Sequence, residues 1–249
     1  MTCPTSSLRR FYAAPDQFRG EVVVLDGEET HHLVRVLRLG VGTRVAVFDG
    51  RGRDFEVEVQ SVEGAGAVLR LVRRLDPWGE SPLDLSLGIG LAKGDALDAV
   101  IAQATEMGVK RILPFLSARS ESLSPERTAR RLSRWQRLTR EAMKSCQRSY
   151  LPEVAAPRDF GAILVGPEEA KLLFWEEERS GGLQARLREP RPTSVRILIG
   201  PEGGFSPEEV ALARTAGFRV ASLGPRRLRV ETAALAALAL VQLAWGDLV

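Results

Sequence analysis

The sequence predicts an α/β protein in two parts: a small β-rich barrel at the N-terminus, then a larger domain built on a mostly parallel sheet. Three observations carry this reading. Four short apolar runs of strand character crowd into the first 75 residues. From Leu83 onward strand-like and helix-like runs alternate, the order that gives a parallel sheet covered on both faces. Between the two styles lies RRLDPWGESP, residues 73–82, where charge, two prolines and a glycine mark a junction. The expected division is a barrel over residues 1–75, a linker over 76–82 and the second domain over 83–249.

In the first part, strands are expected over 22–25, 44–48, 55–59 and 68–72, with DGRG at 49–52 as a hairpin turn and a short helix over 29–39 ending at Gly40. In the second, LDLSLGIGLA alternates strictly. Leu83, Leu85, Leu87, Ile89 and Leu91 share one face, and Asp84, Ser86, Gly88 and Gly90 the other, so it reads as a strand. Leu97, Val100, Ile101, Ala104 and Met107 follow helical spacing, and Gly108 is a natural stop. RILPF, at 111–115, is the next strand. A long helix starts at Ser124 as N-cap with Pro125 at its first position; its apolar stripe is Leu132, Trp135, Leu138, Ala142 and Cys146. Strands over 172–175 and 195–199, a helix over 206–216 stopped by Gly217, and a strand over 219–223 follow. The last helix, TAALAALALVQLAW at 232–245, is apolar around its circumference, so it lies in the core or meets a symmetric partner.

Composition narrows the function. An apolar fraction of 44% over 249 residues supports a substantial core. No apolar run approaches the roughly 18 residues of a membrane span, and residues 1–10 hold no apolar signal core, so a cytoplasmic protein without membrane attachment is expected. Cys3 and Cys146 lie far apart, and with only His31 and His32 beside them no metal site is expected. The two histidines read as structural. Among 35 basic residues only Lys93, Lys110, Lys144 and Lys171 are lysine. Guanidinium forks suit phosphates and stack on bases, so the balance permits a nucleic-acid partner; a GC-rich genome or a thermophile would bias composition the same way.

Three strand-end stretches stand out, because ligands of open α/β sheets gather beyond the carboxyl ends of strands. They are LLFWEEE at 172–178, the glycine loop within RILIGPEGGFSPEEV at 196–210, and LGPRRLRVETAA at 223–234. In the second, an apolar strand runs into Gly200-Pro201-Glu202-Gly203-Gly204, and Ser206-Pro207-Glu208-Glu209 then opens a helix with a capping box. Glycines there allow backbone edges to approach a ligand. GIGLAKGD at 88–95 is neither a phosphate loop nor a dinucleotide fingerprint, since Lys93 precedes Gly94 and no hydroxyl follows. GPEGG also lacks the dinucleotide spacing, which disfavours an oxidoreductase. Glu202 would repel a pyrophosphate at the helix N-terminus and suits a cationic ligand centre or a proton in transit.

GPEGGFSPEE followed by LGPRRLRVETA resembles the C-terminal motifs of SPOUT-class methyltransferases, and more narrowly those of the bacterial 16S ribosomal RNA uridine-N3 methyltransferase family. RRFY at 9–12, HHLVRVLR and FDGRG within 31–52, LAKGDALDAVIAQATEMGVKRILP at 91–114 and REAMKSCQRSYLPEV at 140–154 extend the similarity over nearly the whole chain. Ser145 and Gln147 stand where the family has a glutamine and a glycine, and Gln103 stands where a lysine is common. The resemblance implies a PUA-like barrel that binds RNA and a SPOUT domain whose C-terminal segment forms a deep trefoil knot. It further implies S-adenosylmethionine bound among three knot loops, a homodimer, and 16S ribosomal RNA or the small ribosomal subunit as partner. The implied cofactor contacts fall on Leu173, Phe174, Ile199, Gly200, Glu202, Gly203, Leu223, Gly224, Leu228, Val230 and Thr232.

Uridine N3 chemistry requires an accessible Watson–Crick edge, a proton acceptor and a fixed cation. Arg229 is the expected cation, with a surface ion pair to Glu231 as its alternative role. Glu202 is the expected base or sulfonium neighbour, with capping of loop N–H groups as its alternative. RNA contacts are expected from Arg9, Arg10, Arg35, Arg38 and Arg148, and from a basic stripe of Arg127, Arg130, Arg134, Arg137, Lys144 and that same Arg148 on the long helix, which otherwise is only a solvated face. The alternative functions are a SPOUT methyltransferase acting at another RNA site and a non-catalytic RNA-binding protein.

Overall fold

A computed structural model describes residues 8–64, 66–92, 95–120, 124–179 and 183–249. Cys3, and Lys93 and Gly94 of the stretch 88–95, lie outside the described residues. The chain separates into two compact units, Met1–Glu80 with Met143–Leu151, and Ser81–Ala142 with Pro152–Val249.

The first unit is a single six-stranded sheet. Its strands are β1 (Arg10–Tyr12), β2 (Phe18–Arg19), β3 (Val22–Leu25), β4 (Arg44–Phe48), β5 (Asp54–Glu63) and β6 (Gly66–Leu75), in the order β1-β4-β5-β6-β3-β2. All neighbours are antiparallel except β1, which runs parallel to β4. The expected strands over 55–59 and 68–72 are the centres of longer ones. Helix α1 (Gly27–His31) is capped by Asp26, whose carboxylate accepts the Glu29 N–H at 2.9 Å. It does not continue as an α-helix to Leu39. Residues His32–Val36 form a wider turn in which the Leu37 N–H reaches back to the His32 carbonyl. That turn keeps Leu33 in the core beside Phe11, Leu25, Val45 and Val57, and leaves Arg35 and Val36 exposed. The His32 ring packs against Phe11 with centroids 5.7 Å apart.

The second unit holds the parallel sheet. Its strands are β7 (Asp84–Gly90), β8 (Arg111–Leu116), β9 (Glu153–Val154), β10 (Arg158–Asp159), β11 (Ala170–Phe174), β12 (Ser194–Ile199) and β13 (Arg219–Ala221), and its order is β10-β8-β7-β12-β11-β13, with β9 also on β8. Every pairing is parallel. The helices are α2 (Ala96–Glu106), α3 (Pro125–Cys146), α4 (Phe160–Ile163), α5 (Leu183–Leu187), α6 (Pro207–Thr215) and α7 (Val230–Trp245). The alternation of the strands divides the core in two. Leu85, Leu87, Ile89, Leu172, Phe174, Ile197 and Ile199 pack with α2, α7 and Trp135 of α3. Leu173, Leu198 and Phe115 face the other way, onto α4, α6 and Phe205. Gly90 is needed because a Cβ there would lie 2.5 Å from the nitrogen of Pro201, so the strand and the glycine loop touch backbone to ring.

Within the first unit, residues 143–151 are held by a buried polar network that alters the reading of three basic residues. Arg10 donates to Asp54 at 2.7 Å and to the Arg148 carbonyl at 3.0 Å, while its Cζ sits 4.5 Å from the centre of the Phe48 ring. The Ser149 hydroxyl donates to the same Asp54 oxygen at 3.0 Å. Arg148 pairs with Glu80 at 2.9 Å, and that carboxylate also accepts the N–H groups of Ser149 and Tyr150. Lys144 pairs with Glu29 at 2.5 Å. Arg10 and Arg148 were expected at RNA, and Lys144 in the helix stripe. Arg10 and Arg148 are buried instead, and a guanidinium desolvated against its own carboxylate is not offered to a phosphate, while Lys144 is half-buried and held by Glu29. Arg9, Arg35 and Arg38 are exposed.

Burial pushes the Asp54 carboxyl up from its ordinary 3.8 to about 6, against the lowering effect of Arg10 and the Ser149 hydrogen bond. A raised folded-state value means that the protonated form favours folding below pH ~4, and that this contribution is lost as pH rises through about 6. The expected size is roughly 3 kcal/mol. Thermal melts of the wild type and Asp54→Asn between pH 4 and 7 should therefore show the wild type losing ground to the non-titrating variant across that window. A pH-independent difference would contradict it.

Candidate functional site

Strand register creates the site. Phe174 at the end of β11 pairs with Ile199 of β12 on one side and with Ala221 of β13 on the other. Three strands thus end level, and the chain leaves the sheet side by side at Trp175, Gly200 and Ser222. The loops that follow enclose a cleft of about 650 Å³.

Each loop is pinned. In the glycine loop the Gly204 N–H bonds to the Pro201 carbonyl at 2.8 Å, so Glu202 and Gly203 form the exposed tip of a tight turn. Gly204 has φ 68°, and a Cβ on it would lie 2.5 Å from the Glu176 carboxylate. The glycine there serves the turn and its neighbour before it serves any ligand. Ser206 and Glu209 close the expected capping box of α6: Ser206 Oγ accepts the Glu209 N–H at 3.2 Å and the Glu209 carboxylate accepts the Ser206 N–H at 2.9 Å. The same buried carboxylate accepts the Ala118 N–H at 2.9 Å and the Ser117 hydroxyl at 3.3 Å. One side chain therefore fixes both the start of α6 and the loop after β8. From that second loop Arg119 donates to the Gly203 carbonyl at 2.5 Å. The loop after β11 is tied by the Trp175 N–H to the Ala221 carbonyl at 2.9 Å and by Glu178 to Arg214 at 2.5 Å. Arg229 is the N-cap of α7 in an extended conformation, and its side chain makes no capping bond.

Of the expected site residues, Phe174, Glu202, Gly203, Leu223, Gly224, Leu228, Arg229 and Val230 line the cleft together. Leu173 and Ile199 are packed in the two cores, Gly200 is buried behind the turn, and Thr232 is exposed in the first turn of α7; none of these four is in the lining. Trp175, Glu176, Glu177, Arg226 and Arg227 join from stretches the sequence had marked only as strand-end loops. Arg119 joins from a loop with no sequence signal of its own.

The resulting chemistry is mixed. Four carboxylates (Glu176, Glu177, Glu202, Glu231) and four guanidiniums (Arg119, Arg226, Arg227, Arg229) surround apolar wall from Phe174, Leu223, Leu228 and Val230. Arg229 makes no ion pair with Glu231 among the described residues. The buried indole N–H of Trp175 has no acceptor there either. Such a cleft suits a flat, partly apolar molecule carrying both signs of charge.

Residues 79–242 match the family of the RNA methyltransferase domain, and residues 25–72 that of the RNA methyltransferase PUA domain. The chain is 36% identical to ribosomal RNA small subunit methyltransferase E of Synechocystis over 92% of its own length and 76% of that protein. Against the protein of the same name from Bacillus subtilis it is 29% identical over 87% and 88% of the two chains. The crystal structure of ribosomal RNA small subunit methyltransferase E from Neisseria gonorrhoeae bound to S-adenosyl methionine superposes with a TM-score of 0.87, at 31% identity, over 97% of this chain and 100% of that one.

Removing the Glu209 carboxylate strands the N–H groups of Ala118 and Ser206 and opens the capping box. Glu209→Ala should cost about 2–3 kcal/mol and lower the melting temperature of the second unit by roughly 5–10 °C. Glu208→Ala, at an exposed neighbour, should leave the melt nearly unchanged. Equal effects of the two substitutions in differential scanning calorimetry would show that Glu209 is not the pin described.

Proposed function

Because the chain belongs to the family of ribosomal RNA small subunit methyltransferase E, we propose that it transfers a methyl group from S-adenosylmethionine to N3 of one uridine in 16S ribosomal RNA. The observation that carries this reading is the cleft at the level ends of β11, β12 and β13, with its mixed charges and apolar wall.

S-adenosylmethionine supplies, when bound, an electrophilic methyl on a sulfonium centre, next to an ammonium, a carboxylate and an adenine. The residues present fit that set. Phe174, Leu223, Leu228 and Val230 would cover the base, the backbone edge at Gly224 is open to it, and the cleft carboxylates match the cationic centres. On the RNA side, uracil N3 lies on the pairing edge, so the base must leave its pair or stack to enter the cleft. Loss of the N3 proton spreads negative charge onto O2 and O4. Arg229 answers that charge, because its guanidinium is permanently ionised, lines the cleft and has no partner among the described residues. We assign the N3 proton to Glu202, at the tip of the 201–204 turn in the same cleft.

The match to the PUA domain and the exposed Arg9, Arg35 and Arg38 support the first unit as a further RNA contact. Among the described residues no helix is long and apolar enough to cross a membrane. We place the protein in the cytoplasm, where ribosomal RNA is found. A homodimer and a C-terminal trefoil knot complete the reading. After β13, at the sheet edge, the chain returns to pack α7 against α2 and β12, which supports threading. Helix α7 buries Ala234, Ala237, Leu238 and Val241 but leaves Leu235 and Leu243 37% and 62% exposed, which supports a second copy on its outer stripe.

The decisive experiment is mass spectrometry of nucleosides from 16S ribosomal RNA of a strain lacking the protein. Loss of 3-methyluridine alone, restored by the gene, is the expected result, and an unchanged methyl profile would end the proposal. In vitro, Arg229→Ala should lower methyl transfer at least about 100-fold while calorimetry finds S-adenosylmethionine affinity within about threefold; near-normal turnover would remove Arg229 from the reaction. Light scattering should give about twice the 27.3 kDa of the chain, and Leu243→Asp should shift it towards the monomer.

A further inference from the structure

The cleft holds more positive charge than the proposed cofactor can use. Arg119, Arg226, Arg227 and Arg229 all line it. Among the described residues the Arg119 guanidinium makes one hydrogen bond, to the Gly203 carbonyl, and none of the four makes an ion pair. Arg111, Arg196, Arg214 and Arg219 are each paired to a carboxylate at 2.5–2.8 Å. Four carboxylates also line the cleft, and among the described residues no ion pair joins them to the four guanidiniums. Guanidiniums that make no ion pair remain available to an anion that arrives from outside.

S-adenosylmethionine carries a single carboxylate and no phosphate. If Arg229 serves the uracil, three guanidiniums remain for at most one carboxylate. Arg119 stands beside the glycine loop and Arg226–Arg227 on the loop after β13, so they come to the cleft from two different loops. A target nucleotide turned out of its stack brings its own phosphate and those of its neighbours to the mouth of the cleft. A guanidinium fork is matched to phosphate oxygens. Resting on the function proposed above, we propose that Arg119, Arg226 and Arg227 clamp the RNA backbone on either side of the extruded uridine, holding the strand while Arg229 addresses the base.

The test separates this clamp from the activity itself. Unmodified 16S ribosomal RNA transcript is first shown to be methylated by the wild type; failure at this step would sink the function rather than the clamp. Its affinity is then followed by filter binding from 50 to 300 mM KCl for the wild type and for the triple variant Arg119→Gln, Arg226→Gln, Arg227→Gln. Three lost phosphate contacts on a locally single-stranded segment should reduce the slope of log affinity against log salt by about 2. Affinity for S-adenosylmethionine should stay within about twofold, and the corresponding triple lysine variant should recover most of the slope, since it keeps three point charges. An unchanged slope in a variant that melts normally overturns the clamp. So does a slope kept intact beside a tenfold or greater loss of cofactor affinity, which would give these arginines to the cofactor carboxylate. Should the triple variant fold poorly, Arg227→Gln alone, at an exposed residue, must still lower the slope by about 0.7.

Discussion

The level ending of β11, β12 and β13 is the constraint on which everything at the site depends. Parallel pairing puts Phe174 opposite both Ile199 and Ala221. A shift of one residue in either ladder would carry a loop up or down by about 3.3 Å and turn its side chains to the other face. The two-sided core resists such a shift. Leu172 and Phe174 belong to the α2 and α7 side while Leu173 belongs to the α4 and α6 side, so slippage would exchange the packing of both layers at once. With the strand ends fixed, small devices suffice to shape the loops. Gly90 admits Pro201, Glu209 binds the loop after β8 to the start of α6, and Glu178 holds Arg214.

The arginines divide by environment, and that division carries the functional argument. Arg10, Arg148 and Arg196 are buried, so leaving their charge unpaired would be costly, and each has a carboxylate within 2.9 Å. The cleft arginines 226, 227 and 229 are exposed and, among the described residues, make no ion pair. Water can stabilise them in the free protein at little cost, and a phosphate or an ionised base gains more from them than from a guanidinium already neutralised. Buried pairs therefore order the protein, and exposed unpaired groups remain available to a ligand.

Most of the second unit could be read from the chain, because its signals are local. Alternation in Leu83 to Leu91, the Ser206 and Glu209 cap and the stops at Gly108 and Gly217 each reflect contacts a few residues apart. The strands β1, β2, β9 and β10 span only two or three residues and have no period to detect. In the cleft, Glu202 and Arg229 could be named because they sit in motif loops beside the strand ends. Arg119 could not. It enters through a bond to Gly203, 84 residues away, that depends on Glu209 holding its loop. Arg10 and Arg148 were misjudged for the same reason. Their partners, Asp54 and Glu80, are distant in sequence, and nothing local distinguishes a buried arginine from a phosphate-binding one.

Gln147 shows how a polar network can hold a side chain in a backbone conformation that favours glycine. It follows α3 with φ 66°, in the left-handed region where a side chain costs about 1 kcal/mol and glycine is favoured. Its N–H still bonds to the Met143 carbonyl at 3.0 Å, so the helix ends in a reversal despite the side chain. That reversal brings the carbonyl of Arg148 to Arg10 and the N–H groups of Ser149 and Tyr150 to Glu80. Several charge-assisted hydrogen bonds, each contributing on the order of 1–3 kcal/mol, outweigh one unfavourable torsion. The left-handed turn thus follows from the polar network around Arg10 and Glu80, and glycine at this position relieves the strain without being what creates the turn.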